Sequence, residues 1–214
     1  YDKVEMFNNQ VRYKLKEGQQ SIETKGLTKD QLKAKFDKQI EDAKADMKKH
    51  EEKMKAEIEK ARELGDSVGG ILESVIVGVP AGVGEPYFDS AESVISHILF
   101  SIGGIKGIEF GDGFQAARMK GSEHNDPIGE DGRPVKNGAG GANGGITNGA
   151  PLTFRVAFKP TSSIRKAQQT FNFMTGEMDT LEVPGRHDVC FALRAPVVVE
   201  AMTAIVLADL VSVR

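Results

Sequence analysis

Cysteine is nearly absent from these 214 residues. Cys190 is the single one, which excludes an internal disulfide framework and a cysteine-based zinc cluster. That usage suits a reducing compartment. Tryptophan is missing, and four histidines are present. Neither sign of charge dominates. A net charge of −3 gives no reason to expect nucleic acid as a partner. Long apolar runs are also lacking. The N-terminal YDKVEMFNNQ has no apolar leader core, and the most apolar stretch, residues 195–213, is interrupted by Glu200 and Asp209. That stretch is expected to be a buried helix, and no membrane partner is expected. Hydrophobic content of 39% and charged content of 28% are enough for a soluble domain with a real core.

Glycine, by contrast, is concentrated. NGAGGANGGITNG, residues 137–149, holds six glycines in thirteen positions and runs into PLTFRVAF and then KPTSSI. Glycine clusters carry an entropic cost, so they persist where backbone passes close to something or takes positive φ. Lys159, Thr161, Ser162 and Ser163 offer one cation, three hydroxyls and backbone N–H groups, a set suited to an anion. The expectation is a phosphate-bearing ligand against a glycine-rich wall. No GxxxxGK[ST] loop occurs, and the glycine run precedes a strand rather than linking strand to helix. A P-loop or Rossmann nucleotide site is therefore not expected.

The chain reads as unlike parts. Residues 1–27 are unplaced beyond a strand expected around Gln10–Leu15. Residues 28–64 are rich in Lys, Glu and Ala, without Gly or Pro, and carry an apolar stripe from Leu32 through Met54 and Ile58 to Ala61. Thr28 with Gln31 suggests a capping box, and Gly65 a C-terminal stop. The preferred reading is an amphipathic helix packed on its own domain; a coiled-coil surface for a helical partner is the alternative. Beyond Gly65, residues 71–79 read as a strand and 91–100 as a helix. Residues 105–110 read as a short apolar segment and 111–113 as a turn. Residues 152–158 form an alternating half-buried strand, 180–183 a weaker strand, and 196–210 a central helix apolar nearly all round. The fold class is α+β, in layers. No repeat of fixed period is found.

Other clusters carry chemistry more weakly. Arg186, His187 and Asp188 could bind an anion and exchange a proton, or form a surface turn with an arginine–carboxylate pair. Glu123, His124 and Asp126 lack a metal-ligand spacing, and a hydrophilic loop is the preferred reading; no metal is expected. His50 is expected to be solvated, His97 partly buried and satisfied, and Cys190 a small core residue.

Five segments together resemble chorismate synthase: GDSVGGILESVIVGVPAGVGEP, SIGGIKGIEFGDGF, MKGSEHND, GGANGGITNG with FKPTSSI, and GRHDVC followed by RAPVVVEAMTAIVLAD. They stand in the family's order over residues 65–214, while residues 1–64 match poorly. The resemblance implies a layered β-α-β sandwich and a cytoplasmic homotetramer. It also implies 1,4-elimination of phosphate from 5-enolpyruvylshikimate 3-phosphate, giving chorismate in the shikimate pathway. Reduced FMN is the implied cofactor, with NADPH as a candidate reductant. By matching motif, Gly103, Gly104 and Gly144 fall where backbone lies beside FMN. Lys159, Pro160, Thr161, Ser162 and Ser163 resemble the FMN-binding stretch, Arg186 a flavin-binding arginine, and Asp188 a carboxylate that handles protons near the flavin. The family's GESHG-like opening, its second histidine motif and its arginine–serine–alanine motif do not occur in these 214 residues. His124 and His187 do not match the family's histidine motifs. The expectation is a C-terminal fragment or cut-down enzyme with little turnover alone. The alternative is a non-catalytic module that binds flavin or assembles with other subunits, including a scaffold built on the long helix.

Overall fold

The structure is a computed structural model that describes residues 29–130 and 132–213. In chain order the elements are helix α1 (Lys29–Glu63), strand β1 (Gly70–Ile76), helix α2 (Ala91–Phe100) and strand β2 (Ile105–Phe110). A 3-10 turn at Gly113–Arg118 leads to the short helix α3 (Gly121–His124). Strands β3 (Ala142–Asn143) and β4 (Ile146–Thr147) precede β5 (Leu152–Phe158), β6 (Gln168–Asn172) and β7 (Glu177–Leu181). A second 3-10 turn at Phe191–Arg194 enters helix α4 (Pro196–Ser212). The expected strand at residues 10–15 and the Thr28 cap lie outside the described residues.

The core is a sheet of order β1-β5-β2, antiparallel throughout. Alternation in LTFRVAF decides its orientation. Leu152, Phe154, Val156 and Phe158 are buried, while Thr153, Arg155 and Ala157 face the other side, half-buried. Helices α2 and α4 cover the buried face. Ala91, Ile95 and Leu99, four apart, line one stripe of α2, and Val199, Thr203 and Val206 do the same for α4. Ser90 caps α2 by accepting the Ser93 N–H at 3.1 Å. Pro196 opens α4, where a missing N–H costs nothing. On the sheet's far face Arg155 bonds Glu109 at 2.8 Å, both half-exposed.

Several expectations shift. Strand β1 ends at Ile76 rather than Val79, because Gly78 takes φ +84 and turns the chain. The weak strand at 180–183 is β7, Glu177–Leu181, paired with an unforeseen β6; their residues are almost all exposed, so no buried face marked them. Helix α4 is not covered all round: Val197, Val198, Ile205 and Val211 are exposed opposite its buried stripe. Of helix α1, part of the apolar stripe, Met47 and Ile58, is half-buried. Among its described side chains Ala61 alone is buried, and Met54 is exposed. His97 is exposed rather than partly buried, and His50 is half-buried, its Nδ1 2.7 Å from the Asp46 carbonyl. Cys190 is buried as expected.

Helix α1 does stop where expected. Gly65 takes φ +66, its N–H reaches the Arg62 carbonyl at 3.1 Å, and the Asp66 N–H reaches Ala61 at 2.9 Å, the two bonds of a Schellman end.

Leu152→Ala should lower unfolding free energy by about 2–5 kcal/mol, read from urea midpoints, since the fully buried site leaves a cavity. Burial raises the Glu92 carboxyl above its ordinary 4.5. The folded state then holds that proton more tightly than the unfolded state. The contribution is present below the unfolded value and lost as pH rises through the folded one. Glu92→Gln should therefore be more stable than the parent at neutral pH, with the gap closing below pH 4.5 in thermal melts.

Candidate functional site

The turn between α1 and β1, Gly65–Gly69, lies under the loop that leaves β5. Lys159 donates its N–H to the Gly104 carbonyl at 2.9 Å, which holds the start of that loop. Arg165 and Lys166 donate theirs to the Gly65 carbonyl at 3.0 and 3.2 Å, which holds its end. Between these, the Ser67 hydroxyl donates to the Thr161 carbonyl at 2.6 Å. Gly69 must be glycine for this stacking: a Cβ there would meet the Phe158 carbonyl at 2.4 Å.

The loop so held gathers groups of the kind that can hold an anion. Lys159 is exposed, its Nζ 3.3 Å from the Ser162 hydroxyl. The Thr161 hydroxyl oxygen is buried without a hydrogen-bond partner. Among the described residues, the N–H groups of Thr161, Ser162 and Ser163 meet no acceptor. Three unpaired amides, a cation and hydroxyls on one short loop fit a phosphate.

The GRHD segment approaches the same turn from its other side, where the Val68 N–H donates to the Val189 carbonyl at 2.8 Å. Arg186 is exposed. Asp188 is paired with Arg194. His187 turns back on its own segment, its Nε2 2.8 Å from the Val183 carbonyl. Phe191 then packs edge-on against Phe158 at 5.7 Å and fills the space a Gly104 side chain would need, 2.3 Å from where its Cβ would sit. Gly103 beside it is exposed with open space around it. Gly103, Gly104, residues 159–163 and the GRHD segment thus gather at the Phe158 end of β5.

The glycine-rich run does not join them. Residues 137–149 sit at the Leu152 end, six steps of about 3.4 Å along the strand and so roughly 20 Å away. The single wall expected from adjacency in sequence is divided by the strand that links its halves. Much of the glycine in the run serves packing: Cβ atoms on Gly140, Gly141 and Gly145 would stand 2.4, 2.5 and 2.6 Å from Gly111, Pro151 and Ser90. Gly144 differs, with φ +59 and open space around it. Asp126 anchors the run, its two carboxylate oxygens accepting the N–H groups of Gly138 and Ala139 at 3.0 Å each. His124 stands 3.9 Å from Asp112, and with Asn125, Asp126 and Asn143 it lines a cavity of about 470 Å³. No group of three or more metal-ligating side chains occurs among the described residues.

A family model described as chorismate synthase matches residues 9–212. The chain belongs to the chorismate synthase family. The match begins well before residue 65, so the family resemblance reaches further towards the N-terminus than the five segments indicated. A chorismate synthase of Chitinophaga pinensis is 60% identical over 153 residues, 71% of this chain and 46% of that protein. One of Korarchaeum cryptofilum is 54% identical over 160 residues, covering 73% and 44%. A solved chorismate synthase structure superposes with a TM-score of 0.59 at 36% identity, over 74% of this chain and 42% of that one. The α+β fold is therefore that of the family. The chain spans less than half the length of the relatives it matches.

Two residues that hold these segments went unassigned in the sequence, Ser67 at the Phe158 end of β5 and Asp126 at the Leu152 end. Ser67 lies within GDSVGG, where nothing local shows that its hydroxyl reaches across 94 residues. Asp126 read as a hydrophilic loop residue, because a carboxylate that caps remote amides has no local pattern.

Gly103 and Gly104 should separate under substitution. Gly104→Ala, at φ +96 and against the Phe191 ring, should cost at least about 2 kcal/mol in a denaturant melt. Gly103→Ala should stay within about 0.5 kcal/mol of the parent.

Proposed function

We propose that this chain carries the FMN-phosphate side of a chorismate synthase active site. The observation that carries the reading is the loop at Lys159–Ser163. It belongs to a chain of this family and presents a cation, hydroxyls and three unpaired N–H groups in one place. The reaction is the 1,4-elimination of phosphate from 5-enolpyruvylshikimate 3-phosphate to chorismate, in the shikimate pathway. When bound, reduced FMN supplies electron density transiently to the breaking C–O bond, without net redox change. NADPH is the proposed source of reducing equivalents.

The protein's own part is to bind, orient and handle protons. Lys159 and the amides of residues 161–163 would hold the phosphate, with Pro160 fixing the loop's entry. Arg186, exposed beside the same turn, adds a second cation that favours an anionic ligand. Asp188 is the proton-handling carboxylate, and Arg194 holds it in place. Gly103 and Gly104 offer backbone at the same end of β5. The assignment of Gly144 rests on the family resemblance alone, since it stands at the strand's other end. The exposed apolar face of α4 supports an assembly in which another layer covers it, a homotetramer by resemblance. The proposed location is the cytoplasm. Among the described residues no helix is long and apolar enough to cross a membrane.

A second reading is a module that binds flavin without turnover. Neither family histidine motif occurs in these 214 residues. Each general acid typically contributes roughly 10²–10⁴-fold, so the purified chain should give little or no chorismate from the phosphorylated substrate and reduced FMN. Full turnover would overturn the module reading. Flavin titration followed by fluorescence tests the site itself. The parent chain should bind FMN, and Lys159→Ala should weaken binding by roughly tenfold or more, the scale of one charge-assisted hydrogen bond. Equal binding by both would remove Lys159 from the site.

A further inference from the structure

We infer that Ser67 is the positioning residue of the phosphate-holding loop. The inference rests on the flavin reading above. The loop's two ends are tied by main-chain bonds, Lys159 N–H to Gly104 and the Arg165 and Lys166 N–H groups to Gly65, with the Lys166–Asp66 ion pair beside the second. Main-chain ties leave the peptides between them free to rotate. The middle has one side-chain tether to residues outside the loop, the Ser67 hydroxyl on the Thr161 carbonyl at 2.6 Å.

That tether decides which way one amide points. The Thr161 carbonyl and the Ser162 N–H belong to the same peptide unit, which is trans. In a trans unit the two groups point in opposite directions across a rigid plane. Drawing the carbonyl down onto Ser67 turns the Ser162 N–H outward, on the residue whose hydroxyl lies 3.3 Å from Lys159 Nζ. Without the tether the peptide can flip and put a carbonyl oxygen towards the anion. Affinity then falls because the loop must be ordered as the ligand binds.

Ser67 is itself well placed to act as a fixed post. Its N–H donates to Asp66 Oδ1 at 2.9 Å, and Asp66 lies 3.6 Å from Lys166 at the loop's end. Its successor, Val68, is bonded to Val189 of the GRHD segment at 2.8 Å. The Schellman end of α1 closes just before it. Ser67 therefore joins helix end, loop and GRHD segment through three neighbouring residues. Helix α1 and the loop are coupled at this point.

The test compares Ser67→Thr with Ser67→Val, two side chains of matched shape that differ in the hydroxyl, alongside Ser67→Ala and the parent. FMN affinity comes from fluorescence titration, and loop order from ¹⁵N relaxation at Ser162 and Ser163. Thermal midpoints report on folding. Ser67→Thr should bind FMN within about twofold of the parent, while Ser67→Val and Ser67→Ala should bind roughly five- to tenfold more weakly, the scale of one neutral hydrogen bond. The amide order parameters at Ser162 and Ser163 should fall in Ser67→Val and Ser67→Ala and hold in Ser67→Thr. Equal affinity or equal order in the Thr and Val variants overturns the inference. A parent chain that takes up no FMN overturns the flavin reading instead, and the relaxation comparison still decides whether Ser67 orders the loop.

Discussion

Strand β5 is hydrogen-bonded along both edges, the one strand of its sheet so placed. Its four buried side chains anchor the core, and both flanking strands take their register from it. The loop at residues 159–163 leaves one end, and the glycine-rich run enters the other. Both are held to a rigid, seven-residue rod, so their separation is a property of the fold and not of loop conformation. Any ligand contact assigned to both segments has to respect that length.

The second constraint is close approach of backbone. At the Phe158 end, Gly69 lets the turn after α1 lie against the strand's last carbonyl, and Gly104 makes room for Phe191. At the other end, Gly111 and Gly140 touch through their backbones. Each approach excludes a Cβ, and each brings a segment distant in sequence next to β5. Glycine here works mainly as a means of stacking loops on a strand. That explains why its density in sequence marks a site only indirectly: Gly144 alone of positions 140, 141, 144 and 145 has open space around it.

What could be read beforehand follows the same physics. The alternation of residues 152–158 and the four-residue spacing of Ala91, Ile95 and Leu99 are local patterns, and each produced the element expected. The stop at Gly65 was equally local, since a Schellman end needs only a glycine after a helical run. Helix α4 was harder. Its apolar composition implied burial all round, but composition does not say which layers are present to bury it, and Val197, Val198 and Ile205 stay exposed. Hairpin β6–β7 offered no buried face, so period-2 patterning had nothing to report. The residues expected to hold an anion do share one short loop, as their adjacency implied. Their separation from the glycine run was not legible, because adjacency in sequence hides the 20 Å or so of strand between them. Ser67 was the least legible, since its partner is 94 positions away.

The exposed face of α4 and the loop at residues 159–163 lie on one structural argument. Helix α4 follows the GRHD segment through the 3-10 turn that carries Phe191, and Phe191 packs on Gly104 and Phe158 beneath the loop. A layer that covered Val197 and Val198 would press on the helix start, next to Arg194, whose guanidinium holds Asp188. A partner seated on that face would then stand beside the carboxylate proposed to handle protons: Arg194 is two residues before Pro196, the first residue of α4. Burying that face would lower the dielectric around the Arg194–Asp188 pair and strengthen it. The carboxylate would be fixed more firmly in the assembled protein than in a single copy, so assembly would tune the site without contributing an atom to it.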